Sequence, residues 1–249
     1  MNVLICGIGG RMGREVARLA QTGYRSSVPV AGFDIVASDV NGIPVYTDWN
    51  EIREPIDVII DFSHHAGTEA LLNFATKNKI PTVVATTGHT EQEAEMIKKA
   101  AESIPVFHAA NMSLGVALLI ELAKITAKTF PDADIEIIEK HHNRKLDAPS
   151  GTALAIANAL KTVRENAALV FGRHGNAKRE EGEIGIHAVR MGNIVGEHEV
   201  IVGTDTQTIT LKHEAHSRSL FAEGAIAAAE FIVSRPAGFY DMNRMIAAD

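Results

Sequence analysis

The chain has 249 residues, of which 46% are hydrophobic and 22% charged, and its formal net charge is −7. A chain of this length can bury a substantial core, either as one large domain or as two modest ones. The net negative charge argues against a protein that coats nucleic acid or an anionic membrane surface. The single cysteine, Cys6, cannot form an internal disulfide, so the composition requires no oxidising compartment.

No apolar stretch approaches the roughly 18 residues that a membrane-spanning helix needs. The longest apolar tract, residues 224–233, contains Glu230 and is typical of a packed helix. The apolar run at the N-terminus is too short for the core of a signal peptide and lacks a basic leader. We therefore predict a cytoplasmic protein that binds neither nucleic acid nor membranes.

The first half of the sequence alternates short apolar runs with helical patterns. Strand-like runs lie at residues 3–6, 28–33, 58–60, 82–85 and 106–109, and helical patterns at 14–21, 65–78 and 91–103. Continuous apolar strands separated by helices are typical of a parallel sheet covered on both faces. We predict a doubly wound α/β domain that binds its ligands at the carboxyl ends of the strands.

The pattern changes near residue 113, where a second α+β domain with a mixed sheet is predicted. Helices are expected at about 114–129 and 152–163, and strands at 134–139, 185–190, 197–202 and 206–213. The polar stretch 165–182 predicts a mobile loop in which Arg173, Lys178 and Arg179 are solvated. A last helix, about 219–233, can return to either domain.

A glycine-rich turn, residues 7–13, follows the first strand and opens the first helix. Gly7, Gly10 and Gly13 match a GxxGxxG pattern, although Met12 stands where the strict GxGxxG motif has glycine. A helix N-terminus behind a tight turn favours a dinucleotide pyrophosphate. Asp34, at the end of the second strand, is placed to bind the adenosine ribose hydroxyls. The alternatives are a purely structural turn and an aspartate that only caps a turn.

The residues after Asp34 bear on the choice between NADH and NADPH. Ile35 and Val36 follow it, so no adjacent arginine offers a contact to a 2′-phosphate. The pattern therefore slightly favours NADH, while Arg11 remains a candidate contact for NADPH.

A second polar segment follows the strand predicted at 134–139. It contains His141, His142 and Lys145 and leads through Ser150-Gly151-Thr152 into a helix. Adjacent histidines in a strand point to opposite faces and no cysteine cluster accompanies them, which disfavours a metal site. A solvated polar loop is the other alternative. Against it, a helix start with hydroxyls binds anions, lysine adds a positive contact, and histidine donates protons near neutral pH. Reduction of a dicarboxylate needs these groups together.

The whole of residues 137–153 resembles the signature of the 4-hydroxy-tetrahydrodipicolinate reductases (dihydrodipicolinate reductases). The resemblance extends over nearly the whole chain, in the expected order. Its other segments are residues 7–13, 61–63, 86–88, 111–116, 217–218 and 221–225. The family reduces 4-hydroxy-tetrahydrodipicolinate to tetrahydrodipicolinate with NAD(P)H, in lysine and diaminopimelate synthesis.

The resemblance implies a role for individual residues. His141 matches the proposed proton donor and acceptor, and Lys145 a second proton donor. His142 matches a contact to a substrate carboxylate, and Gly151 with Thr152 matches the anion loop that holds a carboxylate. Ser150, just before them, is a further expected substrate contact. The implied dinucleotide contacts are Gly7, Ile8, Gly9, Gly10, Arg11, Met12 and Asp34, and the implied nicotinamide-flanking residues are Ala85, Thr86, Thr87, Ala109, Ala110, Asn111 and Met112.

The resemblance also implies a Rossmann-like first domain, residues 1–112 with 219–249. The domain of residues 113–218 would bind the dicarboxylate and assemble a homotetramer through its sheet. One departure from the family is Ala85, where many relatives have glycine; the other is Ile35.

Two alternatives to this function remain open from the sequence. A two-domain amino-acid dehydrogenase of the aspartate or homoserine type would share the glycine loop, but should lack the histidine pair with Lys145 and the anion loop. A non-catalytic dinucleotide-sensing protein would keep the glycine loop and Asp34, and would have no use for a proton donor beside an anion site.

Overall fold

The computed structural model describes residues 1–36 and 40–247. Two compact units divide the chain, Met1–Leu114 with Ser219–Asp249 and Gly115–Arg218. The N-terminal part of the first unit contains β1 (Asn2–Cys6), α1 (Arg11–Gln21), β2 (Val28–Phe33), β3 (Val45–Tyr46), β4 (Val58–Asp61), α2 (Thr68–Asn78), β5 (Thr82–Val84), α3 (Glu91–Ala100) and β6 (Pro105–His108).

The second unit begins within the next helix, and the chain then returns to the first. The second unit contains α4 (Leu114–Thr129), β7 (Asp134–His141), α5 (Gly151–Lys161), β8 (Ala168–Phe171), β9 (Glu183–Arg190), β10 (Gly196–Gly203) and β11 (Thr208–Ala215). The returning segment adds α6 (Ser219–Ile232), β12 (Gly238–Tyr240) and α7 (Met242–Ile246).

The first unit is built on a parallel sheet of seven strands, in the order β12-β6-β5-β4-β1-β2-β3. All four residues of β4 are buried, as expected of a strand covered on both faces. The strand order reverses between β1 and β4, and such a switch point opens a crevice at the carboxyl ends. The predicted doubly wound, Rossmann-like sheet is therefore confirmed.

Burial of apolar side chains holds this sheet to its helices. Leu4 and Ile59 of the central strands pack in one cluster with Leu71 of α2 and Ile97 of α3. The ring of Trp49 stacks on Phe33 at the edge of this cluster, with centroids 3.7 Å apart. Among the described residues no helix is both long and apolar enough to cross a membrane.

The second unit contains a mixed sheet in the order β11-β10-β7-β9-β8. Strand β7 runs parallel to β9 and antiparallel to β10. Its residues alternate between buried and half-buried, because only one face is covered by helices. Ile135 and Ile137 on that face pack against Leu119 of α4 and Ile156 of α5. The predicted α+β unit with a mixed sheet is confirmed.

The prediction of a mobile, solvated loop at residues 165–182 is wrong in two respects. Residues Ala168–Phe171 form an edge strand that pairs with β9. Arg179 is not solvated, since its guanidinium pairs with Asp134 at 2.6 Å and also with Glu136. Arg173 pairs with Glu183 at 2.5 Å. These ion pairs hold the segment against the sheet.

Candidate active site

The glycine loop is packed so closely that side chains are excluded at two positions. Gly7 has φ +72°, and a Cβ built there would lie 2.6 Å from the carbonyl oxygen of Phe62, just after β4. A Cβ on Gly13 would lie 2.1 Å from the carbonyl oxygen of Gly7. The first strand, its loop and α1 therefore approach one another as a dinucleotide site requires.

Asp34 lies against this loop at the end of β2. Its Oδ2 accepts a hydrogen bond from the amide of Gly9 at 2.9 Å, and its Oδ1 accepts one from the amide of Ile35 at 2.8 Å. A cavity of about 800 Å³ opens beside them at the switch point of the sheet. Its lining includes Gly7, Gly9, Gly10, Asp34, Ile35, Val36, Trp49, Ser63 and His64.

The other residues predicted to contact the cofactor lie outside this cavity lining. Ile8 is buried, Arg11 is exposed and Met12 is half-buried. Residues 85–87 directly follow β5 and residues 109–112 follow β6. Since β5 and β6 are neighbours in a parallel sheet, both segments lie at its carboxyl edge. The backbone of Met112 packs on α6. A Cβ on Gly224 of that helix would lie 1.7 Å from the carbonyl oxygen of Met112.

In the second unit, His141 ends β7 and is held by a carboxylate from its own strand. Its Nδ1 lies 2.6 Å from Oε2 of Glu139, two residues earlier on the same face. The opposite ring nitrogen, Nε2, faces Gly196 of β10, where a Cβ would lie 3.1 Å away. The imidazole therefore has one nitrogen fixed by a carboxylate and one beside a residue without a side chain.

Glu139 is fully buried, and its carboxylate accepts hydrogen bonds from three residues, His141, Arg190 and Ser150. Arg190 on β9 binds both carboxylate oxygens, at 2.7 and 2.8 Å, and the amide of Ser150 donates to Oε1 at 3.0 Å. Burial would raise the pKa of Glu139, but the hydrogen bonds from Arg190, His141 and Ser150 outweigh it and lower the pKa below its ordinary value. The carboxylate is therefore charged at neutral pH.

The start of α5 is built by Ser150. Its hydroxyl accepts from the amide of Ala153 at 3.1 Å, which caps the helix, and lies 3.0 Å from Nε2 of His198. Ser150 is buried, whereas Gly151 is exposed and Thr152 half-exposed. Both the amide and the hydroxyl of Ser150 are thus engaged inside the protein, where they hold the start of α5 in place.

A positive cluster adjoins this helix start. Desolvation lowers the pKa of His142, and nearby positive groups lower it further. Those groups are Arg144, Arg218, His141 and Lys145. The Nζ of Lys145 pairs with Asp147 at 2.9 Å. The Nδ1 of His142 is buried and finds no hydrogen-bond partner among the described residues. The cluster therefore offers positive charge and an unpartnered ring nitrogen to an anion.

No role for Glu139, Arg190 or His198 was predicted from the sequence. Glu139 could have been found from its spacing, because residues two apart in a strand share a face and Glu139 precedes His141 by two. Arg190 and His198 come from neighbouring strands, opposite His141 and Glu139 respectively. Among residues 1–36 and 40–247, no group of three or more His, Cys, Asp or Glu could hold a metal ion.

The dinucleotide-type crevice of the first unit, and the histidine held beside a helix N-terminus in the second, define a nicotinamide-dependent oxidoreductase as the class of protein. Family models agree with this class. The model described as dihydrodipicolinate reductase, N-terminus, matches residues 1–112, and the one described as dihydrodipicolinate reductase, C-terminus, matches residues 115–246.

Individual proteins resemble the chain over its full length. The 4-hydroxy-tetrahydrodipicolinate reductase of Caldanaerobacter subterraneus subsp. tengcongensis is 46% identical, over 99% of this chain and 98% of that protein. A dipicolinate-bound dihydrodipicolinate reductase from Paenisporosarcina sp. TG-14 superposes with a TM-score of 0.81 at 25% identity, over 98% of each chain.

The aspartate dehydrogenase of Thermotoga maritima shares the fold alone, with a TM-score of 0.53 at 14% identity over 95% of this chain and 98% of that one. The chain belongs to the dihydrodipicolinate reductase family. The family predicted from residues 137–153 and the segments around them is thereby confirmed.

Proposed function

We propose that the chain is a 4-hydroxy-tetrahydrodipicolinate reductase, which uses NAD(P)H to form tetrahydrodipicolinate and water in lysine and diaminopimelate synthesis. One observation carries this proposal. The proton donor His141 and the N-terminus of α5 are tied to the same buried carboxylate, Glu139. A proton source and an anion site are thus held side by side, as reduction of a dicarboxylate requires.

The substrate is a dianion, and the second unit offers it two kinds of contact. The first turn of α5, at Gly151 and Thr152, carries the partial positive charge of a helix N-terminus, which suits one carboxylate. Lys145 and the unpartnered Nδ1 of His142 suit the other. Because the whole chain is acidic, this local positive charge is needed to draw a dianion to the site.

Proton delivery is assigned to His141 and Lys145. The substrate loses its 4-hydroxyl as water, and its unsaturated ring takes up one hydride and one proton. When bound, the nicotinamide supplies the hydride. As imidazolium, His141 can give up the proton on Nε2, and the ammonium group of Lys145 becomes available to the substrate once a substrate carboxylate displaces Asp147. These residues also orient the ring, which lowers the entropic part of the barrier.

The residues of the first unit fit a dinucleotide. Gly7, Gly9 and Gly10 leave room for a pyrophosphate, and Asp34 faces the same cavity with a carboxylate for ribose hydroxyls. We propose NADH as the slightly favoured cofactor, because a carboxylate at this position repels a 2′-phosphate and Ile35 offers it no charge. Residues 85–87 and 109–112 are proposed to flank the nicotinamide.

Two further properties belong to this proposal. We propose residues 1–112 with 219–249 as the dinucleotide-binding domain, and residues 113–218 as the domain that binds substrate and assembles a homotetramer. Light scattering on the purified protein measures its mass against 26.8 kDa per chain. We also propose a cytoplasmic location, which fractionation of the source cells tests.

A coupled assay tests the activity. Dihydrodipicolinate synthase supplies the substrate, and loss of NADH or NADPH absorbance reports the reaction. We expect turnover that depends on the synthase and is inhibited by 2,6-pyridinedicarboxylate. Oxaloacetate with ammonia serves as the matched alternative substrate for an aspartate-type dehydrogenase. No oxidation of either cofactor in the coupled assay, or turnover only with oxaloacetate and ammonia, would contradict the proposal.

A further inference from the structure

We propose that Glu139 is a positioning residue for this reaction, which fixes His141 in the Nδ1–H tautomer and joins it to the carboxylate-binding start of α5. The inference rests on the proposed function for its kinetic consequences. Its structural part, the tautomer of one imidazole, stands independently of the substrate.

The hydrogen bonds to Glu139 leave its carboxylate no freedom to turn. Oε2 accepts from His141 at 2.6 Å and from Arg190 at 2.8 Å. Oε1 accepts from Ser150 at 3.0 Å and from Arg190 at 2.7 Å. Each oxygen thus has two donors, and the side chain is fully buried. A carboxylate accepts and does not donate, so the nitrogen of His141 that faces it must carry the hydrogen.

The sheet register explains why these groups meet. Glu139 lies opposite His198 of β10, and His141 lies opposite Arg190 of β9. Residues two apart in β7 share a face, so the carboxylate and the imidazole lie on the same face of the sheet. Gly196 of β10 stands beside the other ring nitrogen, Nε2, and contributes no side chain there. The proton that His141 exchanges is therefore the one on Nε2.

This arrangement determines what happens when the proton leaves. Imidazolium carries hydrogen on both nitrogens. Loss of the Nε2 proton leaves the neutral Nδ1–H tautomer, whose Nδ1–H already donates to Glu139. With glutamine at 139, an amide N–H can face Nδ1 and favour the opposite tautomer, in which Nε2 holds its hydrogen. In such cases the group that orients a histidine affects the rate strongly without contacting the substrate.

Several other charged or titratable groups surround His141, and they set the expected pH dependence. They are Glu139 on β7, Arg190 on β9, His198 on β10 with its ring centroid 5.2 Å away, and His142 and Lys145 in the following loop. Of these groups only Glu139 is an anion that contacts the ring. Its removal disfavours imidazolium, so the limb of the pH profile that reports His141 should move to lower pH.

The test compares Glu139→Gln with Glu136→Gln. Glu136 lies on the opposite face of the same strand and also binds a histidine and an arginine, with its Oε2 2.7 Å from Nε2 of His187 and its Oε1 paired with Arg179. We expect Glu139→Gln to lower kcat by about 10²-fold or more, with a much smaller change in KM. In the pH profile of kcat/KM, the limb that reports His141 should move to lower pH. Glu136→Gln should leave kcat and the limb in place.

A conservative variant separates charge from packing. Glu139→Asp keeps the negative charge and shortens the side chain, so the limb should return towards its wild-type position even if kcat recovers only in part. A limb that stays at the wild-type pH in Glu139→Gln would overturn the proposal. So would a fall in kcat that Glu136→Gln reproduces.

Histidine-selective ¹⁵N NMR on the wild-type protein tests the tautomer directly. We expect neutral His141 to carry its hydrogen on Nδ1, and Nε2–H in the wild-type protein would overturn the proposal, whether or not Glu139→Gln folds. If the coupled assay fails while the Nδ1–H form is found, the proposed function fails and the positioning survives. If turnover is normal and the Nε2–H form is found, the proposed function survives and the positioning role of Glu139 fails.

Discussion

Nε2 of His198 lies 3.0 Å from the hydroxyl of Ser150, so a buried histidine supports the residue that caps α5. Burial lowers the pKa of His198 to about 4, with the positive field of His141 adding to it. The ring is therefore neutral in the folded protein at neutral pH. Because the Ser150 hydroxyl already accepts from Ala153, it can donate its own hydrogen to His198.

This depressed pKa predicts a loss of stability in mild acid. An unfolded histidine takes up a proton near pH 6.5, whereas folded His198 does so only near pH 4, so the unfolded state binds more protons in between. Stability is present above pH 6.5 and falls as the pH drops towards 4. At about 1.4 kcal/mol per pKa unit, His198 should contribute a loss of about 3 kcal/mol.

Urea unfolding of His198→Gln checks this prediction. Glutamine retains a polar group near the hydroxyl and does not titrate, so the variant should lose less stability than wild type between about pH 6.5 and 4. His174→Gln, at an exposed site, controls for removal of one histidine and should follow wild type. Parallel curves for wild type and His198→Gln across this window would refute the assignment.

Lys145→Met should impair both turnover and substrate affinity. The substitution keeps most of the apolar stem and removes the charge, so kcat should fall by about 10²-fold or more for a lost proton donor, and KM should rise by about 10-fold or more for a lost charged hydrogen bond. Lys140→Met is the matched control, since Lys140 pairs with Glu197 at 3.1 Å on the other face of β7. An unchanged KM in Lys145→Met would remove Lys145 from the carboxylate site.

Alanine substitutions at two glycines with similar backbone angles distinguish the effect of close packing from the effect of backbone strain. Gly7 has φ +72° and no room for a Cβ, whereas Gly23 has φ +76° and nothing within 4 Å of one. Alanine at either position costs about 1–2 kcal/mol for the left-handed conformation. Only Gly7→Ala must also move Phe62, so it alone should abolish measurable NADH binding in a fluorescence titration. Equal NADH affinity in both variants would show that the loop does not hold the cofactor.

Ile35→Arg should change the cofactor preference. Ile35 is 90% exposed and lines the same cavity as Asp34, so an arginine there can reach a 2′-phosphate with a charged hydrogen bond. The ratio of kcat/KM for NADPH to that for NADH should rise by about 10-fold or more. Ile35→Gln has a long polar side chain without the charge and should change the ratio much less. A ratio that stays at the wild-type value in both variants would show that the adenosine ribose does not bind beside Ile35.

Much of the fold was predictable because local patterns determine it. Continuous apolar runs such as β1 and β4 predict buried parallel strands, and the glycine turn marks the start of α1. The edge strand β8 was missed because its four apolar residues form a short run before a polar, Gly/Arg-rich stretch. Its stabilisation by pairing with β9 is not revealed by sequence alone. Strands β3 and β12, of two and three residues, are too short to give a pattern.

The site divides in the same way. His141, Lys145 and the helix start at Ser150 lie close together in sequence, so all three could be assigned to the site from one segment. Arg190 and His198 reach the site through strand register, which depends on the packing of the whole sheet. The engagement of Ser150 with Glu139 and His198 likewise follows from tertiary contacts, and only the structure revealed that its groups are used internally.

The kinetics of His141→Ala, measured beside its NADH affinity, test the assignment of the proton donor most directly. Because His141 lies in the second unit and the glycine loop in the first, the substitution should lower kcat by about 10²- to 10⁴-fold and leave the Kd for NADH at its wild-type value. A kcat within about tenfold of wild type, or a loss of NADH affinity as large as the loss of kcat, would contradict the role of His141 as the proton donor.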